Sequence, residues 1–432
     1  MTSQAPAAAP RSWVLMFVAV CLVAANMRMT ITGVGPLLDD IAADRGVSSA
    51  ALGALASVPL VVWGLTSPLV HGLGARLGVS RAVTISLVTL ALGTLWRSTP
   101  GSPVNLWAGT ALIGASLAVG NVLLPAVIKR DFGNRVPLVM GVYTAMLGGI
   151  GAVGAGIVVP IAHLDTGSGA LGAWGVGTEL GWRIALLCTA LAVPPAILVW
   201  VIASAPRRRG EPVATAAFAR DATDAIDATP RPAAAPARGS AGRRIWRDPL
   251  AWLVALYMGT QSGAFYMIST WLSPIGISHG RTPLVAGIDT MLYQVIGVAG
   301  SLLLPVLFRG RLRRWIPALI PVCVAIAASG IVLLPAGMPV WIGLGGLASG
   351  ASLSTAITLM AVRARDHEGA SALSGMAQSI GYTLAAIGPF AFGALHDVSG
   401  TWTVPLVLVL VALGAQFAAG LAVGKERYVL ED

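Results

Sequence analysis

The sequence predicts an all-α membrane protein with twelve transmembrane helices, arranged as two six-helix halves with both termini in the cytoplasm. Of its 432 residues, 56% are hydrophobic and only 11% are charged, and the mean hydropathy is +0.79. Soluble globular chains carry about 25% charged residues, so the composition excludes a water-soluble multidomain enzyme. Twelve apolar runs have about the 20 residues that a helix needs to cross a bilayer, and the basic residues concentrate in alternate connections between them.

The apolar runs define the predicted organisation of the chain. A disordered tail (1–11) precedes the first half (12–203), and a cytoplasmic linker (204–247) separates it from the second half (248–424) and a C-terminal tail (425–432). The linker is rich in Pro, Ala and Arg and has too little bulky apolar surface to fold. The predicted spans are 12–37, 50–72, 81–98, 104–128, 136–162, 181–203, 249–275, 283–308, 315–335, 338–361, 370–395 and 401–424.

The distribution of basic residues predicts the orientation. With the N-terminus inside, the inner segments hold 23 of the 28 Lys and Arg residues, and one more, Arg28, lies within a span. Cytoplasmic connections carry the excess of Lys and Arg in membrane proteins, so we expect a multi-pass protein of the inner (cytoplasmic) membrane. The outer connections hold the remaining four, which are Arg45, Arg97, Arg183 and Arg281.

The two halves resemble each other at the loops that follow spans 2 and 8. Both loops are short and basic, His71–Arg81 in the first half and Phe308–Trp315 in the second. A parallel repeat of this kind is typical of secondary transporters, in which the halves rock about a midplane site. No Walker sequence, zinc-protease motif, nucleophile elbow or metal-ligand cluster is present, so we predict no enzyme activity, no cofactor and no metal site.

Arg28 is the strongest candidate for a functional residue, because a charge within a span is costly and usually marks function. Asn26 precedes it by two residues, and Thr32 follows one turn later on the same face. A guanidinium stays protonated, so it needs a partner or a water-filled cavity. It could bond to helix-end carbonyls or extend to the membrane surface; alternatively, it faces the central cavity and holds an anionic or strongly dipolar substrate.

Further polar residues lie at compatible depths in other spans. Ser371, Ser374, Gln378 and Tyr382 follow at steps of three or four and therefore share one helix face, which either bonds to another helix or lines an aqueous path. Asn121 and Gln261 are mid-depth polar residues that could equally join helices or contact substrate.

Asp289 is the one carboxylate set clearly inside a predicted span. It could carry a coupling proton, since burial raises a carboxyl pKa towards neutrality, or it could be a hydrated residue near the outer mouth. Span 5 carries a different signal: Gly148, Ala152 and Gly156 have the spacing of a close helix-packing face.

Four segments carry a family resemblance. They are Asn26–Ile41, Gly120–Phe132, Met258–Ile275 and Val362–Trp402, and they cover both halves. Together with the twelve spans and long central loop, they resemble the major facilitator superfamily, and more narrowly its cyanate and nitroimidazole transporter branch. The resemblance implies secondary transport of a small solute.

The sequence also departs from the superfamily at two places. In the loop after span 2, His71 and Ala75 replace the usual Gly and Asp, so the usual Asp-based cytoplasmic latch is missing. In span 1, Met29 follows Arg28 where the branch commonly has proline, so we expect the arginine without the kink.

We therefore predict a monomeric carrier that moves a small polar or anionic solute by alternating access. Its alternatives are an efflux carrier for a small drug or metabolite and, in another class, a membrane receptor that binds a solute without moving it. We expect contacts with lipid and a small molecule but no nucleic acid. The predicted substrate-binding residues are Arg28, Asn26, Asn121, Gln261, Gln378 and Tyr382, and Asp289 is the candidate proton carrier.

Overall fold

A computed structural model describes residues 13–132, 135–167, 174–205, 244–308, 313–365 and 367–431. The predicted N-terminal tail and most of the predicted linker lie outside these residues. Within them, the regular structure is helical, and ten helical stretches are long and apolar enough to cross a membrane.

The helices follow one another along the chain much as the apolar runs predict. In the first half they are α1 (Trp13–Thr32), α2 (Leu38–Arg45), α3 (Ser49–Leu77), α4 (Val79–Ser98), α5 (Pro103–Phe132), α6 (Val136–Ala162), α7 (Gly181–Cys188) and α8 (Val193–Ser204). In the second half they are α9 (Pro249–Ser278), α10 (Pro283–Leu307), α11 (Ile316–Leu333), α12 (Met338–Val362), α13 (His367–Ser399) and α14 (Thr403–Val423).

Helices α9 and α13 are long enough to cross a membrane, with 30 and 33 residues, but they are less apolar and are not among these ten stretches. Polar residues such as Gln261 and Gln378 lower their hydropathy. A helix with polar groups in a bilayer is tolerated where it packs against protein or lines a cavity. Both helices lie against the first half, so their polarity fits an interior position.

The first predicted span does not run unbroken to residue 37. Helix α1 ends at Thr32, a 3₁₀ turn covers Gly35–Leu37, and α2 then continues to Arg45. Pro36 explains the break, because its ring would clash with the carbonyl of Thr32 in a continuous helix.

The sixth predicted span is also interrupted, between Cys188 and Val193. Here Pro194 and Pro195 open the second segment in the first-turn positions that proline tolerates. The same residues would break the ladder of a continuous helix, so one predicted span becomes α7 and α8.

The hydrophobic core joins the two halves at the end of the molecule where α1 ends and α3 begins, which we call the closed end. There one buried cluster combines Leu37, Ile41 and Leu52 of the first half with Trp271 and Phe392 of the second. Towards the opposite end, the buried residues form separate clusters. One lies mainly in the first half and includes Met16, Val20 and Leu124, together with Ala386 of the second half. Another includes Leu250, Leu359 and Val423 of the second half.

Helices α3 and α13 make the tightest contact at the closed end. A Cβ atom on Gly53 would overlap the carbonyl of Pro389 and lie 2.9 Å from Cα of Phe390. At the start of α3, the amides of Ser49 and Ala50 donate to the carboxylate of Asp397 over 2.9 and 2.6 Å. A carboxylate at a helix N-terminus satisfies free amides and complements the helix dipole, so Asp397 ties the second half to the first.

Candidate functional site

Arg28 lies four residues before the end of α1 and has a half-buried side chain. Its Nη1 donates a hydrogen bond to the hydroxyl of Tyr266 on α9 over 3.1 Å. Tyr382 on α13 and Tyr143 on α6 lie near the guanidinium. The predicted anchor therefore contacts both halves of the molecule.

Two features of α6 hold the segment that carries Arg28. The hydroxyl of Thr32 donates to the carbonyl of Gly151 over 2.6 Å and also bonds to the carbonyl of Arg28 over 3.1 Å. Gly151 and Gly154 lie against α1, because a Cβ on Gly151 would come within 3.1 Å of the Arg28 Cβ and one on Gly154 within 2.7 Å of the Met29 Cγ. The close approach of α6 thus fixes the backbone from which the Arg28 side chain extends.

A second contact between the halves lies beside Arg28. Trp63 of α3 stacks on Tyr382 of α13, with ring centroids 5.1 Å apart and an interplanar angle of 21°. Trp63 is buried, whereas Tyr382 is half-buried. Aromatic rings attract other flat π systems by offset or edge-on stacking, so this pair gives the site an aromatic wall next to a positive charge.

The guanidinium of Arg28 has no anionic partner among the described residues, where no carboxylate forms an ion pair with it. The hydroxyl of Tyr266 is its hydrogen-bond partner instead, and a neutral hydroxyl does not cancel a full charge. The site therefore carries a net positive charge that a bound anion would neutralise. Over the same residues, no group of three or more His, Cys, Asp or Glu could hold a metal ion.

Asn26 lies on a different side of α1 from Arg28. Its side chain is buried, and its Nδ2 donates to the carbonyls of Leu22 and Ala192 over 2.8 and 3.1 Å. Ala192 immediately precedes α8, so Asn26 joins α1 to the break in the sixth span. Residues two apart point to nearly opposite sides of a helix, and Asn26 and Arg28 accordingly have different neighbours.

The other predicted polar residues differ in exposure. Gln378 is exposed and donates to Ser374 over 2.8 Å, one turn away from Tyr382 on α13. Asn121 is half-buried and bonds to the carbonyl of Leu117 on its own helix. Gln261 is buried, and its Oε1 accepts from the hydroxyl of Ser262 over 3.0 Å. Gln378 and Tyr382 are thus on the accessible face of α13.

Asp289 is buried and forms an ion pair with Arg281, which precedes α10. The Nε–Oδ2 distance is 2.5 Å, and Nη2 donates to Oδ1 over 3.0 Å. Both carboxylate oxygens of Asp289 therefore lie against the Arg281 guanidinium. The pair joins α10 to Arg281 in the connection that precedes this helix.

Sequence reasoning did not single out Tyr266, Tyr143 or Trp63. Tyr266 lies in one of the segments that carry the family resemblance, but an aromatic residue in an apolar run is usually a core residue. The available signal was position: Tyr266 lies five residues after Gln261, at the same level as the charged residue of α1. Only the packing of α9 against α1 makes it a partner of Arg28.

The fold and the site define a multi-pass membrane protein that transports a small solute. Long apolar helices form two halves, the halves join at one end, and a polar cluster between them lies at mid-depth. The chain belongs to the Major Facilitator Superfamily, whose family model matches residues 16–386.

Relatives of known name point to the same branch. A 2-nitroimidazole transporter of Escherichia coli strain K12 is 35% identical over 417 residues, which cover 96% of this chain and 97% of the relative. The cyanate transport protein CynX of the same organism is 28% identical and aligns with 90% of this chain and 91% of its own length. The resemblance to the cyanate and nitroimidazole transporters is thereby confirmed.

Solved structures confirm the fold. A D-xylose–proton symporter has a TM-score of 0.74 at 11% identity, over 96% of this chain and 98% of its own. A bacterial homologue of the human lysosomal transporter Spinster, in an inward-facing and unoccupied conformation, has a TM-score of 0.74 at 14% identity, over 97% and 94% of the two chains. The protein is a secondary transporter of the major facilitator fold.

Proposed function

We propose that this transporter carries a small, flat anion or strongly dipolar solute and binds it at Arg28. The observation that carries the proposal is the half-buried guanidinium, which lies between the two halves without an acidic partner among the described residues. Charge-assisted hydrogen bonds from a guanidinium to an anion are about twice as strong as neutral ones. An anion is therefore the ligand that best compensates this site.

The aromatic wall of Trp63 and Tyr382 supports a flat solute. The named solutes of the relatives agree with this: cyanate is a small linear anion, and 2-nitroimidazole is a flat polar heterocycle. They share small size, delocalised π electrons and a strong charge or dipole. We infer the same chemical class here without choosing either compound.

Among the other predicted residues, exposure separates two groups. Gln378 and Tyr382 are accessible on α13, and Asn121 is partly accessible, so we propose that these three complete the binding site. Asn26 and Gln261 are buried in helix contacts, which favours a packing role for both. The ion pair with Arg281 favours a structural role for Asp289 over proton transfer.

We infer that the closed end faces the outside of the inner (cytoplasmic) membrane and that both termini lie in the cytoplasm. The excess of basic residues in the connections at the opposite end supports this orientation. The structure then corresponds to an inward-facing state. A single chain contains both halves of the rocking unit, which is consistent with a monomer.

The transport cycle follows from these contacts. An anion on Arg28 cancels the charge that otherwise opposes closure of the inner end, so the occupied carrier closes around it more readily than the empty one. Release to the other side requires the contacts of the closed end to separate. A ligand shifts such an equilibrium only through its different affinity for the two states.

Thermal unfolding of the purified protein tests the proposal. Small anions such as cyanate, nitrite and benzoate, together with 2-nitroimidazole, are screened for stabilisation, and benzamide is the neutral match for benzoate. We expect at least one anion to raise Tm in the unaltered protein and to lose this effect in Arg28→Gln. Arg313→Gln is the matched control, because Arg313 is exposed and pairs with Glu426.

Transport is then measured in proteoliposomes with the stabilising solute. We expect uptake by the unaltered protein and the control and background flux in Arg28→Gln. Normal uptake by Arg28→Gln would remove Arg28 as the anchor and leave only the transporter fold.

A further inference from the structure

Arg97 is a buried arginine that the sequence places in an outer connection. In the structure it belongs to the last turn of α4, and only 1% of its surface is exposed. Gly109 of α5 packs directly on its backbone, where a Cβ would lie 2.6 Å from the Arg97 Cα. The backbone of Arg97 is therefore held tightly, and its charge has no route to the surface.

The guanidinium of Arg97 caps the end of α1. Its Nη1 donates to the carbonyl of Thr30 over 2.9 Å. That carbonyl lacks its usual helical partner, because the amide of Val34 bonds to the carbonyl of Ile31 in the turn that follows α1. Thr30 lies two residues after Arg28, so the contact is made beside the segment that carries the anion anchor.

Arg97 also lacks a countercharge among the described residues. Its Nε and Nη2 have no hydrogen-bond partner there, and no carboxylate pairs with it. Arg183, which is buried near the same end of the first half, behaves differently, since it pairs with Asp44 over 2.6 Å. An unpaired buried charge is expensive, so its presence next to α1 needs a compensating benefit.

The end of α1 supplies the reason. The C-terminus of a helix carries a partial negative charge of about half a unit, and Arg28 lies only four residues before Thr32, where α1 ends. This negative end opposes the binding of an anion at Arg28. The positive charge of Arg97, bonded to the Thr30 carbonyl, offsets it.

We propose that Arg97 is a second, indirect determinant of anion binding, which keeps the potential at Arg28 positive by neutralising the end of α1. The proposal rests on the anion site inferred above and extends it to a residue that does not touch the solute. A unit charge on the order of 10 Å away, in protein of effective dielectric about 20, changes the affinity for an ion by roughly tenfold.

The local potential can be measured without knowing the substrate. Cys21, Cys188 and Cys323 are replaced by alanine, and Tyr266→Cys places a reporter thiol next to Arg28. The thiol is then treated separately with an anionic and a cationic methanethiosulfonate reagent of similar size, and the ratio of the two rates is recorded. A positive site favours the anionic reagent, and comparing the ratio removes changes in accessibility that affect both reagents equally.

We expect Arg97→Gln to lower the ratio of anionic to cationic rate by roughly tenfold or more, and Arg97→Lys to keep it within about threefold. A defect of folding alone would change both rates together and leave the ratio unaltered. An unchanged ratio in Arg97→Gln therefore overturns the proposal.

A second variant leaves Arg97 unchanged and tests its role even if Arg97→Gln fails to fold. With Arg28→Gln, the reporter should still prefer the anionic reagent more than a free thiol in solution does, because the full charge of Arg97 exceeds the negative charge of about half a unit at the helix end. A ratio equal to that of the free thiol would refute the role of Arg97. The proposed role of Arg28 is tested separately by thermal unfolding: it is wrong if anions still raise the Tm of Arg28→Gln.

Discussion

Replacement of Gly53 by alanine should open the closed end. The added methyl group overlaps the Pro389 carbonyl and approaches Cα of Phe390 to 2.9 Å, and both are backbone atoms that cannot rotate away. Helix α3 must therefore move away from α13. Overpacking of this kind costs about 1–3 kcal/mol, and because the open state does not contain this contact, the ratio of open to closed molecules should rise about 5- to 150-fold.

The reactivity of a cysteine at Leu52 measures this change. Leu52 is buried in the cluster that joins the halves, so Leu52→Cys in a cysteine-free protein should react slowly with a membrane-impermeant thiol reagent. We expect Gly53→Ala to accelerate the reaction at least fivefold. Gly64→Ala is the matched control on the same helix, since its Cβ would meet only the Thr383 hydroxyl at 3.9 Å. Equal rates in the two variants would refute the assignment of this contact as the closed gate.

Three further outcomes follow from single contacts. Asp397→Ala removes two hydrogen bonds to the start of α3, so the cysteine of Leu52→Cys should react faster. We expect only about a threefold increase, because Asp397 is exposed and solvent replaces the bonds. An unchanged rate would contradict the capping role. Asn26→Ala should lower the free energy of unfolding by about 1–3 kcal/mol, because two carbonyls lose their hydrogen-bond donor. The affinity for the solute should stay within about twofold. A loss of affinity at unaltered Tm would mean that Asn26 contacts the solute. Asp289→Asn should lower Tm by breaking the pair with Arg281 and leave the pH profile of uptake unaltered, whereas a profile that becomes flat would identify Asp289 as a proton carrier.

Arg28 could be singled out from the sequence, but its partners could not. A guanidinium in an apolar run is visible without a structure, since the cost of burying it is independent of the fold. Tyr266 and Trp63 are ordinary residues of membrane helices, and only the pairing of α1 with α9 and of α3 with α13 gives them a role. Such pairings join residues more than 200 and 300 positions apart, which a local pattern does not record.

The two helix breaks show the opposite case: the prolines that cause them are visible in the sequence, but proline alone does not predict a break in a membrane helix. Pro36, Pro194 and Pro195 are visible in the sequence, yet proline is common within membrane helices, so the sequence alone predicts that the first and sixth spans are continuous. In the structure these prolines end α1 and separate α7 from α8. Both breaks expose carbonyls, and Arg97 and Asn26 are the side chains that bond to them.

The glycines of α6 show how one helix serves both a fixed and a separable contact. Gly151 and Gly154 face α1 within the same half, whereas Gly148 and Gly156 approach Val298 and Met291 of α10 in the other half. Both glycines of the close packing face predicted for Gly148, Ala152 and Gly156 thus lie against α10, and Gly151 and Gly154 form a second face. The first face must stay intact, because it positions Arg28 through Thr32, while the second must separate when the halves rock. The glycines between α6 and α10 leave only smooth van der Waals contact there, which can be broken without stranding a buried hydrogen bond.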